Sequence, residues 1–135
     1  MKLEVTSGAI ATLLAEAKAA APEECCGLLL GEGGRILQVR SATNVADDRQ
    51  RRFEIEPAAL LAAHREARAG GPQVLGYYHS HPAGHPVPSA TDCEHASGDA
   101  RVWAIIAGGE VRFWRDGPAG FEQVAHEVSN DPREI

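Results

Sequence analysis

Gly76 to His95 reads GYYHSHPAGHPVPSATDCEH and carries four of the chain's six histidines. Together with Val74 and Leu75, the two tyrosines make Gln73 to His79 a dense apolar strand suited to a central place in a sheet. Pro82 to Pro88 breaks that strand, and Ser89-Ala90-Thr91-Asp92 begins a short helix, since a serine with an acidic residue three places on forms a capping pair. On a strand, His79 and His81 leave the same face about 7 Å apart, the geometry of two ligands for one small cation. A turn after the Gly/Pro-rich loop can swing Asp92 back over them. Two imidazoles and one carboxylate suit Zn²⁺, and three protein ligands leave a fourth position open for water, which marks a hydrolytic centre rather than a structural one.

Outward from this segment, the chain alternates strands and helices. Lys2 to Val5 is a strand, followed by a helix that Thr6 or Ser7 can cap and that ends before Pro22. Glu23 and Glu24 stand at the junction with an apolar strand, Cys25 to Gly31, which turns at Glu32-Gly33-Gly34 into a partner strand, Arg35 to Ala42. Asn44 to Arg52 is polar and aperiodic, the pattern of an exposed, mobile loop. Phe53 to Ile55 is extended, and Pro57 opens a second helix that runs to about Ala69. Beyond the third helix, Arg101 to Ala107, Val111 to Arg115 and Phe121 to Val128 read as an antiparallel meander closing the sheet on one side, and the polar tail Ser129 to Ile135 is expected to fray. The order β-α-β-β-α-β-α-β-β-β implies an α/β fold, a mixed β-sheet flanked by helices.

With 135 residues the chain is the size of a single domain, 1–135, and 44% hydrophobic against 24% charged residues is ordinary for a globular core. A formal net charge of −6 argues against an electrostatic grip on nucleic acid. Three cysteines, two of them adjacent, give no paired extracellular framework, and no signal peptide or membrane-length apolar run is present, so a cytoplasmic protein is expected. Cys25, Cys26 and Cys93 read as small hydrophobes, and Trp103 and Trp114 as packing residues. His64, His95 and His126 read as surface or cap residues, His85 as a solvated loop residue, and Ser80 as structural because it points away from the face of His79.

The pattern His79-Ser80-His81-Pro82, with Ser89 and Asp92 following at fixed spacing, resembles the H-[ST]-H-P-x(6)-S-x-x-D signature of the JAMM (MPN+) metalloproteases. The segment Pro22 to Gly31 (PEECCGLLLG), Asn44 and Phe53 to Pro57 (FEIEP) resemble other parts of the same family. The resemblance implies a cytidine deaminase-like three-layer sandwich, with His79, His81 and Asp92 as zinc ligands, Glu24 rather than Glu23 as general base, and Ser89 as donor to a developing oxyanion. It further implies hydrolysis of a peptide or isopeptide bond after the C-terminal Gly-Gly of a ubiquitin-like or sulfur-carrier protein, whose tail Arg35 to Ala42 and the Asn44 to Arg52 loop would contact. The alternatives are a non-catalytic MPN scaffold, a RadC-like protein associated with DNA repair, and a cell-wall or phage-tail peptidase of the same superfamily.

Overall fold

A computed structural model describes residues 2–130. Ten elements follow in order: β1 (Lys2–Thr6), α1 (Ser7–Ala20), β2 (Cys26–Glu32), β3 (Arg35–Ala42), α2 (Pro57–Arg68), β4 (Gln73–Ser80), α3 (Ala90–His95), β5 (Val102–Ala107), β6 (Glu110–Gly117) and β7 (Gly120–Ser129). The order is the one expected. Thr6 settles the capping alternative: its hydroxyl accepts the Ala9 N–H at 3.1 Å. Ser129 closes β7 rather than fraying, and the rest of the tail expected to fray lies outside the described residues, from 131 onward. No helix among the described residues is long and apolar enough to cross a membrane.

The sheet runs β1-β3-β2-β4-β5-β6-β7 and then closes on itself, because β1 pairs in parallel with both β3 and β7. The meander β5-β6-β7 is present as expected, but it does not end the sheet. Closure follows from two unspent edges: β7 lies along the whole of β1, from Lys2 opposite Ala125 to Thr6 opposite Ser129, so neither strand offers bare backbone groups there. Alternation along a strand reports which face is buried and is silent about edges, so the ring could not be read from residue types.

Both faces of the sheet are covered. Ala9 and Leu13 of α1 pack with Leu3, Val5, Leu29, Tyr78, Ile106 and Phe113. On the other face Ala63 of α2 packs with Leu28, Leu30, Ile55 and Val74. This is why Leu28-Leu29-Leu30 can be an unbroken apolar run: successive side chains point to opposite faces, and each face has its own helix. The buried Tyr78 hydroxyl donates to Glu16 at 2.6 Å and ties α1 to the middle of the sheet.

The strand that carries the histidines, β4, is central, antiparallel to β2 and parallel to β5, with α3 in the crossover between β4 and β5. Its approach to β5 requires a glycine, since a Cβ at Gly76 would fall on the Val102 carbonyl. The carbonyl belongs to a paired backbone and cannot swing aside. Gly76→Ala is therefore expected to lower stability by about 1–3 kcal/mol, read as a lower urea midpoint at unchanged slope; an unshifted midpoint would show that the two strands can part without cost.

Candidate metal centre and catalytic cleft

Registry places the site. Cys26 of β2 stands opposite His79 of β4, so the chain just before β2 lies beside the end of β4. The His79 ring is fully buried on the α2 side of the sheet, stacked on Phe53 at 4.2 Å between centroids and 17° between planes, with Trp103 edge-on at 5.7 Å. Ser80 faces the other way, as expected, and its hydroxyl accepts the Cys25 N–H at 2.9 Å. The strand stops there. His81 lies one residue past β4, with its N–H donating to the Ile106 carbonyl, and the two imidazoles lean together with centroids 4.8 Å apart rather than standing side by side at strand spacing.

Asp92 reaches the same point from α3. Ser89 and Asp92 form a capping box: the Ser89 hydroxyl accepts the Asp92 N–H at 3.0 Å, and the Ser89 N–H donates to Asp92 Oδ2 at 2.9 Å. The same Oδ2 lies 3.0 Å from His79 Nε2 and 3.2 Å from His81 Nε2, and the two Nε2 atoms are 3.0 Å apart. Three donor atoms thus form a nearly equilateral triangle. A tetrahedral zinc with bonds of 2.0–2.1 Å needs its ligand atoms about 3.3 Å apart, close to what stands here. The tautomer agrees: His81 Nδ1 donates to the His85 carbonyl at 2.8 Å, which leaves the lone pair of the neutral ring at Nε2, inside the triangle. Lone pairs converging this closely repel unless positive charge lies among them, so the donor set fits a cation.

The carboxylate of Asp92 is held well below the usual range although burial acts the other way, because its contacts with the two imidazoles and the hydrogen bond from the Ser89 N–H favour its charged form. His79 is pushed down by burial and stays neutral, the form in which imidazole binds metal.

Glu24 is the carboxylate that stands beside this triangle. A carboxylate oxygen of Glu24 and a ring nitrogen of each histidine all lie within 4.8 Å of one another, and Glu24 is only 6% exposed. Its Oε1 is buried with no hydrogen-bond partner among the described residues. Burial, above all, raises its pKa to about 7, with the Asp92 and Asp48 charges adding and His81 opposing. A carboxylate with a free lone pair and a pKa near neutrality is suited to taking up and giving back a proton. Glu23 is instead tied to Arg49 by a surface ion pair at 3.3 Å.

Glu24, His81 and Ser89 share one cleft of about 330 Å³, walled by Gln50 and Arg51 on one side and by the Pro82 to Pro88 loop on the other. The Ser89 hydroxyl accepts from Asp92 and keeps its own proton to donate. The Asn44 to Arg52 loop is exposed from Asp47 to Arg52 as expected, but it is tied to its neighbours: Ala46 is buried, and the Val45 N–H bonds the Glu54 carbonyl while the Arg49 carbonyl accepts the Glu24 N–H at 2.7 Å. Asn44 is the knot of that loop. Three residues of the site are invisible to a reading by residue type: Asn44, Phe53 through its stack on His79, and Trp114, whose indole N–H bonds the Pro86 carbonyl and anchors the loop beside His81.

Of the remaining candidates, Cys93 departs from the buried role expected of it, because it lies on the exposed side of α3. His85 contributes its carbonyl and leaves its side chain exposed, and His126 lies against Phe113. Cys26 is buried with its thiol pushed up to about 12, Cys25 is half-buried, and Cys93 is exposed.

Residues 6–117 match the family model described as prokaryotic homologs of the JAB domain. A desampylase of Haloferax volcanii is 32% identical over 112 residues, spanning 78% of this chain and 81% of that protein. A desampylase of Pyrococcus furiosus is 36% identical over 92 residues, spanning 67% of this chain and 65% of that one. A solution structure of a Desulfitobacterium hafniense protein superposes with a TM-score of 0.83 at 27% identity, covering 96% of this chain and 94% of that chain.

The raised pKa of Glu24 has a consequence for stability. The fold favours the protonated carboxyl, so the contribution of Glu24 is complete below its ordinary pKa of 4.5 and is lost as pH rises through about 7. In chelator-treated protein, the urea midpoint of Glu24→Gln is expected to gain on that of the wild type as pH rises from 4.5 to 7.5. Parallel pH profiles for the two proteins would show that burial does not perturb this carboxyl.

Proposed function

The chain belongs to the family of prokaryotic JAB-domain homologues, the stand-alone branch of the JAMM/MPN proteins, and on that premise we propose that it is a zinc-dependent isopeptidase acting on conjugates of a ubiquitin-like protein. The observation that carries this reading is the 3.0–3.2 Å triangle of His79, His81 and Asp92 beside a buried carboxylate with a free oxygen. A scaffold that only binds partners has no use for such a carboxylate, whose burial without a donor costs stability. Neither has a RadC-like protein that only associates with DNA.

In this reading His79, His81 and Asp92 hold the zinc. When bound, the metal supplies a water acidified toward a pKa of about 7 and draws electrons from the scissile carbonyl. Glu24 accepts a proton at Oε1 and later releases it to the leaving amine nitrogen, a cycle matched to its pKa of about 7. Ser89 turns its hydroxyl proton toward the carbonyl oxygen as charge develops there, an effect of about 3 kcal/mol where single donors of this kind have been removed. Phe53 and Trp103 wall His79 from solvent.

The cleft takes an extended tail without side chains, which is why a C-terminal Gly-Gly of a ubiquitin-like or sulfur-carrier protein is the substrate proposed. Contact falls to Gln50 and Arg51 of the loop, which line the cleft. β3 is the weaker candidate, being laddered to β2 along its length and to β1 at Arg35 and Ile36. We read the whole chain as one domain working in the cytoplasm, with α1 and α2 as the outer layers of a deaminase-like sandwich.

The purified protein is expected to carry about one zinc per chain, and Asp92→Ala to lose it. Glu24→Ala should retain zinc while cleavage of a ubiquitin-like protein bearing a C-terminal extension falls by a factor on the order of 10²–10⁴. Full zinc retention by Asp92→Ala removes the ligand assignment, and undiminished cleavage by Glu24→Ala removes the base.

A further inference from the structure

Glu24 precedes β2 and takes no part in its ladder, so its backbone must be held by something else. Both of its peptide groups are bonded to the 44–54 segment: the N–H donates to the Arg49 carbonyl at 2.7 Å, and the carbonyl accepts from Asn44 Nδ2 at 3.1 Å. Asn44 Nδ2 also donates to the Arg52 carbonyl at 3.1 Å, while Oδ1 accepts the Ala46 N–H at 3.0 Å and the Glu54 N–H at 3.1 Å. Both amide protons and both oxygen lone pairs are spent. The pattern fixes which end of the amide is nitrogen, since two carbonyls face one end and two N–H groups the other.

Both ends of that amide hold the loop, and its nitrogen end holds Glu24 as well. Arg52 and Glu54, both bonded to Asn44, flank Phe53, whose ring lies on His79. The bond to the Glu24 carbonyl is the separate arm. We propose that Asn44 is a positioning residue for the hydrolysis, clamping the peptide of Glu24 so that its carboxylate stays over the cleft while the same side chain fixes the Phe53 wall of His79. This inference rests on the isopeptidase reading for its kinetic consequence only. A displacement of about 1 Å in a reacting group costs on the order of 10² in rate, so a clamp on the backbone of the base is a plain route to catalytic precision.

Two variants separate the arms. Asn44→Ala removes all four bonds. Asn44→Asp keeps an oxygen for Ala46 and Glu54 but sets a second oxygen against the carbonyls of Glu24 and Arg52, so the Ala46 and Glu54 bonds of the loop survive while the Glu24 and Arg52 contacts become repulsive. Both are expected to lower kcat by about tenfold to a hundredfold with KM changed by less than about twofold and zinc content unchanged. In a Glu24→Ala background, adding Asn44→Asp should cost much less than it does in the wild type, because the carboxylate it positions is gone. Native-state amide exchange, which needs no substrate, should quicken at Glu24 in Asn44→Asp while Ala46 and Glu54 stay protected.

An unchanged kcat in Asn44→Asp, a loss as large in the Glu24→Ala background as in the wild type, or unchanged exchange at Glu24 would each overturn the assignment. If Asn44→Ala does not fold, Asn44→Asp carries the test through the same readouts. Should the wild type cleave no ubiquitin-like fusion, the isopeptidase reading fails, and exchange at Glu24 still decides the clamp.

Discussion

Two imidazole nitrogens and a carboxylate oxygen held 3.0–3.2 Å apart is a configuration that must be enforced, because the lone pairs repel. Each of the three is held from behind. His79 is fixed by a central strand with ladders on both sides and by the Phe53 stack. His81 is held by its Nδ1 bond to the His85 carbonyl, and the loop supplying that carbonyl is pinned by Trp114 through Pro86. Asp92 is fixed by the capping box that starts α3. Capping and the proposed cation binding would use the same carboxylate at once, so the helix start costs the site nothing.

What residue types can report is bounded by sequence distance and by the kind of group involved. His79, His81, Ser89 and Asp92 lie within one strand-loop-helix unit, where short separation and a capping pattern point to one site although His81 lies past the strand and not at strand spacing. Glu24 is more than fifty residues away, and only its resemblance to a known segment singled it out; the physical link is the pairing of Cys26 with His79, a strand register that no local pattern encodes. The closure of the sheet through β1 and β7 escapes for the same reason. Asn44 and Trp114 act on backbone carbonyls, which every residue possesses, so their partners carry no mark in the sequence. The aperiodic polar stretch after Asn44 looked like free loop because its order comes from backbone bonds and one side-chain amide rather than from an apolar stripe.

The elements divide the labour in a way that matters for turnover. Of the proposed zinc ligands, His79 sits near the end of a central strand, His81 one residue past it and Asp92 in the capped first turn of a helix. The proposed base is held by a loop whose outer residues, Asp47 to Gln50, are exposed. A base must meet the attacking water and then the leaving nitrogen, which lie at different points, whereas the ligands must stay still. A carboxylate on a clamped but loop-borne peptide can shift by a fraction of an ångström without straining the donor triangle, because no ladder bond joins Glu24 to the strand that carries His79. The clamp at Asn44 bounds that shift. The arrangement therefore separates where rigidity is needed from where a small freedom helps, and it does so by ending the β2 ladder at Cys26, two residues after Glu24.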